Sequence, residues 1–260
     1  FYRAHNVEKD IWRRAASDAG DPVRSALLNW QAGQVEKIEY ETCSKSEVVF
    51  PVSEDDARIF ARWESGATIQ ALPIGFDIPD YRPIPDPGEE FPLLFIGRLD
   101  WPPNRDGLKW FLEEVWPQAI EARPELRLYI AGSGDGSWLD AYADLANIDL
   151  LGRVASVDPW YERCAATLVP IFYGSGTRVK AIESSAYARA CISTAIGVEG
   201  LSLEPDVDYI ACETAAEWIA QLTRLDMRTA RDAGLSAREV IVRRFDAATV
   251  ALTMQEHVKR

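Results

Sequence analysis

From about residue 91 to the carboxyl end, short apolar runs alternate with amphipathic stretches in a regular order, and this alternation constrains the fold more than any other feature. Pro92-Leu93-Leu94-Phe95-Ile96 closes on Gly97 and reads as a strand ending at a glycine turn. Leu108, Phe111, Leu112, Val115 and Ile120 recur at three- and four-residue steps, one face of a helix interrupted near Pro117. Further strands are expected at residues 126–131, 148–150, 166–172, 191–194 and 209–212. Helices are expected at 138–145, 158–164, 177–190, 215–225, 229–244 and 247–258. Such an exchange implies a parallel sheet covered by helices on both faces, an α/β fold.

The first 75 residues read differently. A helical tract at 23–46 leads to a strand at 48–52, then to a helix opened by Ser53 with Asp56 three residues on, an N-cap signature. A strand at 69–74 runs into Gly75-Phe76-Asp77 and a loop carrying Pro79, Pro83, Pro85, Pro87 and Gly88, the expected domain boundary. Two strands are too few for a complete doubly wound domain. The chain also opens Phe1-Tyr2-Arg3-Ala4-His5-Asn6, without methionine and as if at the end of a strand, so an amino-terminal portion is expected to be missing.

With 260 residues the chain has room for one large or two modest domains, at roughly 100–200 residues each. A net charge of −13 and no long Lys/Arg run argue against a nucleic-acid partner, though a local cluster can still bind a small anion. Cys43, Cys164, Cys191 and Cys212 lie too far apart for zinc or redox pairs and read as reduced thiols of a cytoplasmic protein. His5 and His257, at opposite ends, offer no metal site. No apolar run approaches the about 18 residues of a membrane helix, and no signal peptide is visible. Lys9, Arg13 and Arg14 beside Ile11 and Trp12 leave peripheral membrane contact open, although a solvated helix face is the simpler reading.

The chemistry concentrates between Pro170 and Glu183. Pro170-Ile171-Phe172-Tyr173-Gly174-Ser175-Gly176-Thr177-Arg178-Val179-Lys180 passes from a strand, across two glycines, into a helix. Such turns aim backbone N–H groups along the positive end of the helix dipole, a favourable seat for phosphate, with Arg178 and Lys180 nearby. A tight turn with Thr177 as a simple cap explains the same residues equally well. Glu183 falls among Val179, Ile182, Ala186 and Ala190, on or beside the packed face of the helix. A half-buried carboxylate there needs partners, either Lys180 one turn back or ligand hydroxyls.

These residues resemble glycosyltransferase family 4, retaining enzymes of the GT-B fold with two facing Rossmann-like domains. The resemblance runs from His5-Asn6-Val7-Glu8 through Val52-Ser53-Glu54, Pro73-Ile74-Gly75-Phe76-Asp77 and Phe95-Ile96-Gly97-Arg98-Leu99-Asp100 to Gly174–Glu183 and Gly197-Val198-Glu199-Gly200-Leu201. It implies that residues 1–75 end an amino-terminal acceptor-side domain and that 76–245 form the donor domain. Residues 246–260 would be a terminal helix packing back on the first domain. It further implies that Glu183 holds the ribose hydroxyls and that Gly174, Ser175, Gly176 and Thr177 lie beneath the diphosphate. Arg98 and Gly97 would meet the donor phosphates, Val154 the nucleobase, and Gly132 and Gly134 the same cleft. His5 would lie near the donor sugar, and Arg98, Lys180, Ser175 and His5 would form the catalytic set. The substrate would be a nucleotide-diphosphate sugar, the acceptor a saccharide, lipid-linked or other hydroxyl, with no cofactor and no metal.

Two departures accompany the resemblance. Ser175 stands where many relatives carry the first glutamate of a pair, and Pro103 and Asn104 stand where a lysine often follows the arginine. Arg178 or Lys180 would then supply the second positive charge. Other motifs fall short: Gly132-Ser133-Gly134-Asp135-Gly136 lacks the last glycine of a dinucleotide loop, and Asp206-Val207-Asp208 is a common loop pair rather than a metal motif. No G-x-S-x-G elbow is present. Trp101, Trp110 and Trp116 are expected in the core. A nucleotide-sugar epimerase of the same fold and a non-catalytic binding domain remain as alternatives; the oligomeric state is left open.

Overall fold

Residues 1–17, 19–85, 88–174 and 178–258 are described in the computed structural model. The chain divides into two compact units, Phe1–Phe76 with Arg244–Arg260, and Asp77–Arg243.

In the first unit the elements are β1 (Tyr2–Ala4), α1 (Glu8–Ser17), α2 (Pro22–Ser44), β2 (Val48–Pro51), α3 (Glu54–Ala61) and β3 (Thr68–Ile69). The strands form a parallel sheet in the order β1-β2-β3. Asp21 caps α2 by accepting from the Val23 and Arg24 N–H groups, with Pro22 at the first turn, where its missing N–H does no harm. Ser53 caps α3 through the Asp56 N–H at 3.1 Å. The buried Glu39 carboxylate accepts from the Glu8 and Lys9 N–H groups at the start of α1, a placement favoured by the helix dipole. Lys9 and Arg13 both pair with Glu36, so two of the three cations considered for a membrane face are engaged within the helix pair. β3 is shorter than the expected 69–74. Main-chain bonds continue to Leu72, whose N–H reaches the Pro51 carbonyl, and then meet Pro73, which has no N–H.

The second unit contains β4 (Phe91–Ile96), α4 (Pro102–Trp110), α5 (Trp116–Ala122), β5 (Leu126–Ala131), β6 (Ile148–Gly152), α6 (Asp158–Arg163), β7 (Ala166–Val169), α7 (Val179–Ala186), β8 (Ala190–Ser193), β9 (Ile210–Ala211), α8 (Ala215–Arg224) and most of α9 (Met227–Phe245). α10 (Ala247–Val258) belongs to the first unit. All six strands of the second unit run parallel, in the order β6-β5-β4-β7-β8-β9. Leu93 and Phe95 on β4 pack with Phe111, Trp116 and Trp218, while Leu94 packs on the opposite face with Tyr129, Tyr161 and Cys164. Burial on both faces is why this strand is apolar throughout rather than alternating.

The structure sharpens one sequence expectation and corrects several others. The interruption expected near Pro117 is a π-helical turn at Phe111–Val115, between α4 and α5, and Pro117 sits at the second position of α5. The helix expected at 138–145 is instead a short 3-10 helix, Ser137–Tyr142. β7 stops at Val169 because Pro170 cannot extend the ladder. α7 ends at Ala186, not Ala190, and Ala190 opens β8. The break is Ala188 at φ +55°, after which the Arg189 N–H turns back to the Ser184 carbonyl at 2.9 Å. Val179, expected on the packed face, is 43% exposed at the start of the helix.

Two contacts fix the neighbourhood of β4 and β7. A Cβ on Gly107 of α4 would lie 1.6 Å from the Pro170 carbonyl oxygen, so the helix backbone rests directly on the chain leaving β7. Arg189, wholly buried, donates to the carbonyls of Tyr161 at 2.6 Å, Tyr187 at 2.8 Å, Glu162 at 2.9 Å and Arg82 at 3.2 Å.

Candidate functional site

Between β4 and β7 the chain order reverses: β5 and β6 extend the sheet one way, β8 and β9 the other. In open parallel sheets ligands bind at the carboxyl ends of the strands at such a switch point. A cavity of about 450 Å³ lies here. Ile96, Gly97 and Arg98 from the end of β4 form one wall with Trp101 and Asn104 at the start of α4. Val169, Ile171 and Gly197 line it at the ends of β7 and β8, and Arg178, Val179, Lys180 and Glu183 come from α7 and the residue before it.

The polar groups are strongly held. Lys180 Nζ donates to Asn104 Oδ1 at 2.7 Å and sits 4.2 Å from the centroid of the Phe95 ring. Burial pulls its pKa down to about 7, against which Cys191 and Glu183 act. Glu183, one turn further on, is not the partner of Lys180. Its Oε2 accepts the Tyr161 hydroxyl at 2.9 Å. Burial raises the Glu183 pKa, opposed first by that hydrogen bond and then by the Lys180 charge. Tyr161 is fully buried, and its ring stacks on Tyr187 at 4.8 Å, whose own hydroxyl donates to Asp158. The Tyr161 hydroxyl is accordingly held protonated, its pKa raised by burial and by the Glu183 charge.

Arg178 is only 5% exposed. Its Nη2 donates to Glu199 at 2.9 Å and to the Gly174 carbonyl at 3.2 Å, while Nε finds no partner among the described residues. Arg98 differs. Its side chain is 69% exposed and forks onto Asp100 with bonds of 3.0 and 2.9 Å, so its charge is directed at a carboxylate of its own loop.

Gly97, Arg98, Arg178, Lys180 and Glu183 thus share one cavity. Gly132, Gly134, Val154 and Gly174 are not among the residues lining it. Gly132 and Gly134 instead admit the loop after β4: a Cβ on the first would strike the Gly97 carbonyl at 2.0 Å, and on the second the Asp100 carboxylate at 2.3 Å. Val154 follows β6, half-buried. His5 is exposed in the first unit. Ser175, Gly176 and Thr177 lie outside the described residues.

Trp116 is buried and Trp110 packs against the core, but Trp101 lines the cavity, correcting its assignment to the core. Sequence reasoning also missed Tyr161 and treated Asn104 only as a lost lysine. Each acts across 22 and 76 residues respectively, beyond any local pattern. Asp206 and Asp208 are turn formers: the first accepts from the Ala211 N–H, the second from the Glu204 N–H and Ser236 hydroxyl. Among the described residues no group of three or more His, Cys, Asp or Glu is placed to hold a metal ion, and no helix is long and apolar enough to cross a membrane.

A six-stranded parallel sheet of this order, with a charged cavity at its switch point, defines a Rossmann-like domain. The sequence pattern of glycosyl transferases group 1 matches residues 90–226, more than half of the chain, and the chain belongs to that family. A curated relative, an uncharacterized 44.6 kDa protein in the cps region of Klebsiella pneumoniae, is 28% identical over 116 residues, covering 42% of this chain and 30% of the relative. A mutant of S. aureus TarM in complex with fondaparinux, α-GlcNAc-glycerol and UDP superposes with a TM-score of 0.68 at 16% identity, over 87% of this chain and 47% of that one. Anabaena HepE in complex with UDP and glucose gives a TM-score of 0.68 at 13% identity, over 99% of this chain and 70% of that one. The chain therefore spans less than half the length of the curated relative and of TarM. The likeness in architecture is to the GT-B fold, matched by two α/β units with parallel sheets.

Proposed function

We propose that the cavity at the ends of β4 and β7 binds the nucleotide-diphosphate part of a sugar donor, as in glycosyltransferase family 4. The whole protein would then transfer the sugar to an acceptor hydroxyl with retention at the anomeric carbon. The observation that carries this reading is the convergence of Arg178, Lys180 and Glu183, from one helix start, on a cavity at the topological switch point. Two cations there suit a diphosphate. Glu183, with Oε2 held by Tyr161, has its other oxygen to offer a ribose hydroxyl. Negative charge building on the leaving diphosphate would be stabilised by Lys180 and Arg178, fixed in place before reaction. Arg98 joins them by exchanging Asp100 for phosphate, a small step for a side chain this exposed. UDP is the first nucleotide to try, since both TarM and HepE were solved with it.

Thermal unfolding with UDP, GDP, ADP and dTDP tests the proposal. A ligand at a hundredfold excess over its Kd adds about 2.7 kcal/mol of stability. Glu183→Ala should then weaken binding of the responding nucleotide by roughly 1.5–3 kcal/mol, the scale of hydrogen bonds to a charged group. A flat response to all four nucleotides refutes the donor-site reading.

A further inference from the structure

The cation in the cavity is held by a neutral side chain. Asn104, 4% exposed in the first turn of α4, donates from Nδ2 to the Arg98 carbonyl at 2.8 Å and accepts at Oδ1 from Lys180 Nζ at 2.7 Å. An ammonium has only donors and a carbonyl only acceptors, so the orientation of the amide follows from chemistry alone. Gly97 makes the room: a Cβ there would lie 2.8 Å from Asn104 Nδ2 and 3.2 Å from Lys180 Nζ. The facing elements bring few charges. β4 presents the Phe95 ring, α4 presents Asn104, and β8 presents Cys191, a thiol kept neutral by a pKa pushed up to about 12. Glu183, on the same helix as Lys180, is bonded to Tyr161, and no carboxylate among the described residues forms an ion pair with the lysine.

We propose that Asn104 is a positioning residue: it fixes Lys180 Nζ in the cavity through an uncharged oxygen, leaving the lysine's charge to an anionic ligand, the diphosphate of a nucleotide. The inference rests on the donor-site reading above. An aspartate at the same place would pair with the amine and neutralise its charge, while giving up the bond to the Arg98 carbonyl, since a carboxylate has no N–H to donate. An alanine would release it. Because burial already weakens the lysine's hold on its proton, an arriving diphosphate draws a proton onto Lys180, and diphosphate binding weakens as pH rises above about 7.

The test measures UDP and uridine affinities by calorimetry between pH 7 and 9, together with a carbon-13 titration of the Lys180 side chain in the ligand-free protein. Wild type should lose UDP affinity with rising pH, by up to about tenfold per pH unit, while uridine stays flat. Asn104→Asp should raise the Lys180 midpoint, flatten the pH dependence and cut the UDP-to-uridine affinity ratio by about tenfold or more at pH 7. Asn104→Ala should move the midpoint and lower the same ratio, with uridine affinity retained. A ratio and a Lys180 midpoint unchanged in both variants overturn the inference. Failure of wild type to bind any nucleotide sinks the donor-site reading itself. In that case an unmoved Lys180 midpoint in Asn104→Asp would separately refute the hold on the amine.

Discussion

Replacing Tyr161 by phenylalanine isolates one hydrogen bond. The ring keeps its stack on Tyr187 at 4.8 Å, and only the hydroxyl that donates to Glu183 Oε2 at 2.9 Å is lost. Hydrogen bonds to charged groups are worth about 1.5–3 kcal/mol, and the lower end applies because Glu183 keeps an open side toward the cavity. The loss must depend on pH. Glu183 has a folded-state pKa above its unfolded value, so between the two the folded state binds more protons and stability falls as pH rises. The Tyr161 bond offsets part of that penalty by favouring the ionised carboxylate. Tyr161→Phe should therefore cost more unfolding free energy at pH 8 than at pH 5, with about 1.5–2 kcal/mol expected for the loss of a bond to the ionised carboxylate. As the folded carboxyl takes up its proton on acidification, the loss should shrink to about 1 kcal/mol or less, the scale of a neutral bond. Urea unfolding at the two pH values reads the difference. Equal losses at both, or a loss under about 0.5 kcal/mol at pH 8, would show that the hydroxyl does not support the carboxylate.

The Lys180 amine gives the opposite sign. Its folded-state pKa of about 7 lies below the unfolded value, so the folded state binds fewer protons between them and stability rises with pH across that window. Lys180→Met should be more stable than wild type at pH 6, with the advantage fading toward pH 10; a pH-independent difference in denaturant unfolding contradicts this. Gly107→Ala sets a methyl 1.6 Å from the Pro170 oxygen, backbone against backbone, and should cost about 3 kcal/mol, the upper range for overpacking. A cost below about 1 kcal/mol in urea unfolding would mean that α4 slides easily over the end of β7.

The parallel sheet was legible because β4, β5, β7 and β8 are short, largely apolar runs buried on both faces, as strands covered by helices on both sides are. Arg178, Lys180 and Glu183 were legible because helical spacing is local. What escaped was set by tertiary contact. Glu183 gave a reason to seek a partner, yet Tyr161 reaches it from α6, and nothing in Asp158-Pro159-Trp160-Tyr161 announces that. Asn104 looked like the absence of a lysine, whereas it is the seat of another lysine 76 residues away. The end of α7 was misread because Ala188 adopts a left-handed conformation usually reserved for glycine, and an alanine carries no stop signal. Arg98 was legible as a cation, but its fork onto Asp100 depends on the turn joining them.

Arg189 bears on how the second unit assembles. A guanidinium keeps its charge under all ordinary conditions, and removing it from water is tolerable only when its N–H groups all find oxygen. Here those oxygens come from the end of α6, the end of α7 and the segment before β4, distant stretches of chain that must arrive together. A state with one of these stretches detached leaves a buried cation under-solvated, so partly docked forms are disfavoured more than their lost apolar contacts alone would make them. The arginine thereby couples the wall behind Glu183 to the rest of the sheet and sharpens the unfolding of this unit toward a single cooperative step.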